Sequence, residues 1–230
     1  MEIEVIVQNE QDARIAEKAG ADRLELVATM EEGGLTPNLR VIEQVLASVN
    51  VPVFVMVRPH SRHFCYRGAD LEVIKETLSV VTNCQADGIV FGCLNEKKEV
   101  DVPVLETVLS LKGDLKMTFH RAFDEVMDQT AAYQTLCRYS SRIERILTSG
   151  GAEKAGDALD QLEHLIALSK EARGPAIMVG SGLHPQTFTA IHKRLKAEAY
   201  HFGSGVRIHQ SFNKTIDPSP IEWLKEIETD

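Results

Sequence analysis

No run of apolar residues in this sequence approaches the length of a membrane span, so no transmembrane helix is expected. Basic clusters are missing too: 25 Lys and Arg stand against 34 Asp and Glu, a net charge of -9. That balance removes the electrostatic footprint of nucleic-acid binding and the cationic face that an anionic membrane attracts. The opening MEIEVIVQNEQD lacks a positive segment and meets acidic residues before any long apolar stretch, which argues against a secretory leader. Cysteine is scarce. Cys65, Cys84, Cys93 and Cys137 are irregularly spaced with no Cys-x-x-Cys, so neither a disulfide framework nor a zinc ribbon is suggested, and the expected location is the cytoplasm. There is no Gly-x-Ser-x-Gly elbow, no His-Glu-x-x-His, and no lysine closing the sixth apolar run, where a Schiff-base aldolase would need one. No Pro/Gly/Ser-rich linker divides the 230 residues into separate units.

What the chain does have is one alternation repeated from end to end. Short apolar runs, rich in β-branched and aromatic residues, predict strands at Ile3–Val7, Arg23–Val27, Val51–Val57, Gly88–Gly92, Leu115–His120, Arg145–Thr148, Ala176–Gly180 and Ala199–Phe202. Helical patterns lie between them, among others at Gln11–Ala19, Asn38–Ser48, Leu71–Cys84, Val102–Leu111 and Ala158–Ala172. Such an order predicts an α/β fold, a TIM-like (β/α)8 barrel in a single domain. An open doubly wound sheet would carry Gly-x-Gly-x-x-Gly after its first strand, and here that turn reads Gln8-Asn9-Glu10. The barrel is expected over residues 1–205. Residues 206–230 then form a loop and a short closing helix of the same domain, Ile221–Ile227, anchored by Trp223.

Strand alternation sorts residues into helix-facing and barrel-facing sets. It points Glu4 and Ile6 inward, with Arg23, Glu25 and Val27, with Met56 and Arg58, and with Lys116, Thr118 and His120. Charges inside a barrel are costly unless paired. The expected pairs are Glu4 with Arg23, and Glu25 with Lys116 or Arg58. Barrel enzymes keep their chemistry at the C-terminal ends of the strands, which makes Glu25, Arg58 and His120 candidate catalytic residues. Asp124 is either a fourth or a helix N-cap. Arg58 and Arg121 offer planar forks for carboxylate or phosphate. After the last three strands come Thr148-Ser149-Gly150, Gly180-Ser181-Gly182 and Gly203-Ser204-Gly205. Their small residues, Ser149, Gly150, Ser181, Gly182, Gly203 and Ser204, are candidates for binding an anion through backbone N–H groups, although a tight turn favours glycine anyway. A divalent metal held by Glu4, Glu25 and His120 is a variant of the same site.

The runs Arg23-Leu24-Glu25-Leu26, Glu32-Gly33-Gly34-Leu35-Thr36-Pro37, Arg58-Pro59, Phe64-Cys65-Tyr66, Asp87-Gly88-Ile89-Val90-Phe91-Gly92, Thr118-Phe119-His120-Arg121-Ala122-Phe123-Asp124 and Arg145-Ile146-Leu147-Thr148-Ser149-Gly150 together resemble the CutC family. The resemblance runs from Glu4 to about Gly205. It implies a TIM-like barrel, a cytoplasmic homo-oligomer, and a role in copper homeostasis through copper binding or trafficking. Many family members carry cysteines in the first two strands, where this chain has Ile6 and Val27. Cu(I) favours thiolates and thioethers, which leaves Cys65 and Cys93, with Met56 nearby, as the candidate copper ligands. Two readings stand side by side: copper handling, and a barrel enzyme performing acid/base chemistry on a small anionic or phosphorylated substrate.

Overall fold

The computed structural model describes residues 1–227. Eight parallel strands pair in sequence order and close on themselves, β1 with β8. They are β1 (Glu2–Val7), β2 (Arg23–Leu26), β3 (Val53–Met56), β4 (Gly88–Phe91), β5 (Lys116–Phe119), β6 (Arg145–Thr148), β7 (Ala176–Gly180) and β8 (Ala199–Phe202). Helices α1 (Glu10–Lys18), α2 (Leu39–Leu46), α3 (Ala69–Asn83), α4 (Val102–Leu111), α5 (Gln129–Cys137), α6 (Leu159–Ala172), α7 (Pro185–Leu195) and α8 (Pro218–Ile227) surround them. This is the TIM-like barrel the alternation predicts.

Local chemistry explains the element boundaries. Asn9, Asn38, Asp101 and Asp128 each accept a backbone N–H of the first turn of α1, α2, α4 and α5, satisfying a donor that the helix itself leaves free. β3 begins two residues later than its apolar run because Pro52 has no N–H for the ladder, although its carbonyl still accepts from Leu24. β5 stops at Phe119. The His120 N–H still donates to the Phe91 carbonyl of β4 at 3.1 Å, and its ring turns back, Nδ1 accepting the Ala122 N–H at 3.1 Å to start a 3-10 turn over Arg121–Glu125.

The dominant apolar core lies between strands and helices, where Val5, Leu24, Val55, Ile89, Phe119 and Tyr200 are buried. The barrel interior holds two smaller apolar clusters. Ile6, Val27, Phe54, Met56 and Val90 fill the side of β1 to β4, and Leu147, Met178 and Ala199 fill the side of β6 to β8. Between them runs a buried polar column of Glu4, Arg23, Glu25, Thr118 and His201. Arg23 closes it from below, stacked 4.1 Å over the Phe54 ring.

The segment after β8 is tied to the barrel by Arg207. Its guanidinium donates to Asp12 at 2.6 Å, to the Ile6 carbonyl at 3.2 Å and to the Lys214 carbonyl at 2.8 Å. Phe212, stacked under Arg207 at 5.0 Å, is thereby held over the β1 end of the barrel mouth. Lys116, expected inside, is exposed instead: as the first residue of β5 it sits at the N-terminal opening, where an ammonium reaches water.

Candidate active site

A cavity of about 260 Å³ opens at the C-terminal ends of the strands. Glu25, Arg58, His120, Arg121, Ser181, Gly182, Gly203 and Ser204 all line it, so the barrel gathers most of the site residues expected from sequence. The walls between are Ile6, Val27, Met30, Met56, Phe64, Leu147, Leu183 and Phe212. A larger groove of about 510 Å³ between α2 and α3 lies on the outer surface, away from the strand ends.

The floor is a carboxylate–imidazole–carboxylate array. Glu4 bonds Arg23 through one oxygen at 2.5 Å and His201 Nδ1 through the other at 2.6 Å. The opposite nitrogen of His201 stands 3.6 Å from Glu25 Oε2. Glu25 Oε1 is buried and has no hydrogen-bond partner among the described residues. Burial alone would raise the Glu4 carboxyl, but the Arg23 charge and the His201 bond outweigh it and hold Glu4 at about 2. Burial lifts Glu25 to about 7 against the pull of His201, with the Glu4 charge adding to the lift and Arg23 opposing it. His201 itself is raised: burial works against its charged form, and the Glu25 charge and the Glu4 bond and charge overcome that.

Sequence reasoning missed His201. The signal was present, because Tyr200 and Phe202 face the helices and place Ala199 and His201 inside by the same alternation that found Glu25. The partner expected for Glu25 is corrected accordingly: His201 takes the place of Lys116 or Arg58. The metal trio changes in the same way. Glu4, Glu25 and His201, not His120, bring ligand atoms within 4.8 Å of one another. Arg23 already neutralises Glu4, and both Glu4 oxygens are engaged, so this set fits an internal ion pair better than a dication.

Arg58 is not a free anion clamp. Its guanidinium donates to the carbonyls of Gly33 at 2.9 Å, Gly34 at 3.2 Å and Ser61 at 3.4 Å, over the face of Phe64. Gly33 and Gly34 hold φ of +82 and +85, a conformation strained for any side chain, and it turns both carbonyls toward Arg58. Thr36 bonds the backbone of Arg58 from both sides, so the Gly-Gly-Leu-Thr run and the Arg-Pro run form one structure.

Asp124 is neither a helix N-cap nor exposed to the cavity. It lies inside the 3-10 turn and accepts from Arg121, Thr148, the backbone and hydroxyl of Ser149, and the Gly151 N–H. The Gly150 N–H goes to Thr148 Oγ1 at 2.9 Å. The loop after β6 therefore spends its donors within its own chain, Ser149 and Gly151 on the Asp124 carboxylate and Gly150 on the Thr148 hydroxyl, which removes Ser149 and Gly150 from the candidate anion site. Arg121 bonds Asp124 and Ser149 but is partly exposed and keeps its place in the cavity wall.

Gly182 and Ser204 both line the mouth. The loops after β7 and β8 press so closely that a Cβ on Gly205 would lie 1.9 Å from the Leu183 carbonyl oxygen. Cys65 and Cys93 do not line the cavity. Cys93 is fully buried in the outer core, its thiol on the Asp101 carbonyl at 3.4 Å and pushed well above its ordinary range by burial and the Asp101 charge. That corrects the candidate thiolate pair: a buried, protonated thiol behaves as a small apolar residue.

Residues 1–207 match the family model described as the CutC family. A CutC family protein of Photorhabdus laumondii is 38% identical over 181 residues, spanning 79% of this chain and 70% of that protein. One from Yersinia pseudotuberculosis is 35% identical over 224 residues, 97% of this chain and 83% of that one. Among solved structures, the CutC protein of Streptococcus agalactiae, whose name refers to copper homeostasis, superposes with a TM-score of 0.80 at 26% identity, covering 88% of this chain and 98% of that chain.

Proposed function

The chain belongs to the CutC family, and on that premise we propose that it is an enzyme, moving a proton on a small anionic or phosphorylated substrate held in the barrel mouth. Glu25 carries the reading. It is a buried carboxyl with one oxygen unpartnered, lifted to about 7 and backed by His201 and Glu4, the properties a general acid/base needs near neutral pH. The Gly-Ser-Gly loops after β7 and β8 supply the anion end, where barrels commonly hold phosphate. Arg121 adds charge to the cavity wall. A crystal soaked in inorganic phosphate should show an anion against Gly182 and Ser204. A bare rim at saturating phosphate sinks this reading.

Copper handling is the second reading, favoured by the family's association with copper homeostasis and by two thioethers, Met30 and Met56, in the wall of the cavity that His120 also lines. Copper would be cargo there, delivered or stored in the cytoplasm by a homo-oligomer. Competition for Cu(I) under reducing conditions tests it. On this reading Met30→Leu/Met56→Leu weakens binding and Cys65→Ser/Cys93→Ser leaves it unchanged. Equal, weak binding by wild type and both double variants rejects it.

A further inference from the structure

We propose that the cavity enolises a small α-hydroxycarbonyl compound bearing a terminal phosphate, Glu25 moving the carbon-bound proton and His120 holding the carbonyl oxygen; this deepens, and rests on, the acid/base reading above. The observation that adds the carbonyl is at His120. Its Nδ1 accepts the Ala122 N–H, which places the ring proton on Nε2. That Nε2–H is buried and has no acceptor among the described residues. Unsatisfied buried donors are costly, and a ligand oxygen removes the cost.

The ring is fixed for that task. Phe64 packs on it at 4.9 Å, and Gly92 passes so close that a Cβ there would lie 2.5 Å from Nδ1. Burial and then the Arg58 charge hold His120 down at about 3, so it stays neutral at working pH. A neutral imidazole N–H is the electrophile that carbonyl enolisation uses in other barrels, because its acidity lies closer to that of the enediol than an imidazolium's does.

Other chemistries lack their reagents. Among the described residues no Lys, Cys or Asp lines the cavity, so neither a Schiff base nor a thiolate is available. At about 260 Å³ the space is at the small end for ligand pockets, suited to a ligand of a few carbons. The step balances without an oxidant or co-reactant. Ionised Glu25 takes the proton from the carbon beside the carbonyl; that C–H pair becomes the C=C bond, and the C=O π pair moves onto oxygen, where the His120 N–H stabilises it. Reversal returns a proton from Glu25 to carbon.

The test is proton NMR in D₂O, following loss of carbon-bound hydrogen from dihydroxyacetone phosphate and a panel of four- to six-carbon ketose phosphates. Wild type should exchange at least one of them. Glu25→Gln and His120→Ala should slow that exchange by about 100-fold, and His120→Gln, which keeps an N–H donor, should recover part of it. Thermal melts identify any variant that has not folded. Calorimetric titration with inorganic phosphate separates the two readings. Phosphate binding with no exchange across the panel overturns the enolisation inference and leaves the acid/base site standing. Neither binding nor exchange overturns both. Undiminished exchange in folded Glu25→Gln removes Glu25 from the chemistry.

Discussion

The two nitrogens of His201 divide their attention between Glu4, 2.6 Å from Nδ1, and Glu25, 3.6 Å from Nε2. One ring thus stands between a carboxyl held at about 2 and another lifted to about 7. The asymmetry comes from Arg23, which bonds Glu4 directly. A site that holds one carboxylate ionised and its neighbour near neutrality has assigned the two groups different work.

That asymmetry fixes the pH dependence of stability. Glu25 keeps its proton in the fold up to about 7 while the unfolded chain releases it near 4.5. Unfolding is therefore increasingly favoured as pH rises across that window, at a cost on the order of a few kcal/mol. His201, raised by the same neighbours, adds a loss in the same direction as pH rises beyond its unfolded value of 6.5. Glu4 works the other way: its contribution is complete above 4.5 and is lost as pH falls toward about 2. Urea denaturation across this range should show stability falling between 4.5 and 7, and Glu25→Gln should flatten that limb.

Removing the imidazole should be more damaging than removing the Glu25 charge. His201→Ala leaves Glu4 with Arg23 alone and takes from Glu25 the charge that pulls it down. We expect about 3–5 kcal/mol of destabilisation, the range for breaking a buried ionic array. The Glu25 titration should also move upward, visible as persistence of the protonated carboxyl stretch in infrared difference spectra. Unchanged stability would mean that the array is not coupled.

Asp124 organises the loop after β6, accepting from Ser149 and Gly151 N–H groups at 3.1 Å. Asp124→Ala should cost roughly 1.5–3 kcal/mol, the range for hydrogen bonds to a charged group. Amide exchange should accelerate at Ser149 and Gly151 ahead of the neighbouring strands. If those amides stay protected, the carboxylate does not hold the loop.

Gly205→Ala places a methyl where the Leu183 carbonyl oxygen already lies, 1.9 Å away, and backbone must move to admit it. The expected cost is about 1–3 kcal/mol by overpacking. Because the same movement parts the loops after β7 and β8, phosphate affinity should fall as well. A variant with wild-type affinity and stability would show that the two loops are independent.

The fold was legible because every strand of a closed parallel barrel is buried on both faces, so short continuous apolar runs mark it. α5, with Gln129, Thr130 and Gln134 among its residues, is weakly patterned, whereas α7 carries a buried apolar stripe of Phe188, Ile191 and Leu195 at helical spacing that the sequence reading passed over. Within the site, alternation along β2 and β5 located Glu25 and the inward direction of His120, since a charged or polar residue among helix-facing aliphatics has nowhere else to go. Arg58 was found but its partners were not, because Gly33, Gly34 and Ser61 offer only carbonyls, which every residue type has. Asp124 reads from sequence as a cap or a catalytic acid. Only the close packing of the turn after β5 against the loop after β6 decides that its oxygens are consumed.

By itself the sequence determined the barrel, the family, and an inward carboxylate at position 25, because periodicity and motif are properties of the chain taken in order. Which charges meet was decided by closure. Glu4 and His201 are 197 residues apart, and only the pairing of β1 with β8 brings them within hydrogen-bond reach. Closure likewise left Cys93 in the dry shell between strands and helices while turning Met56 into the mouth. Ring closure sets which side of each strand sees the cavity and how high each residue stands, and these depend on strand register rather than on any local run of residues.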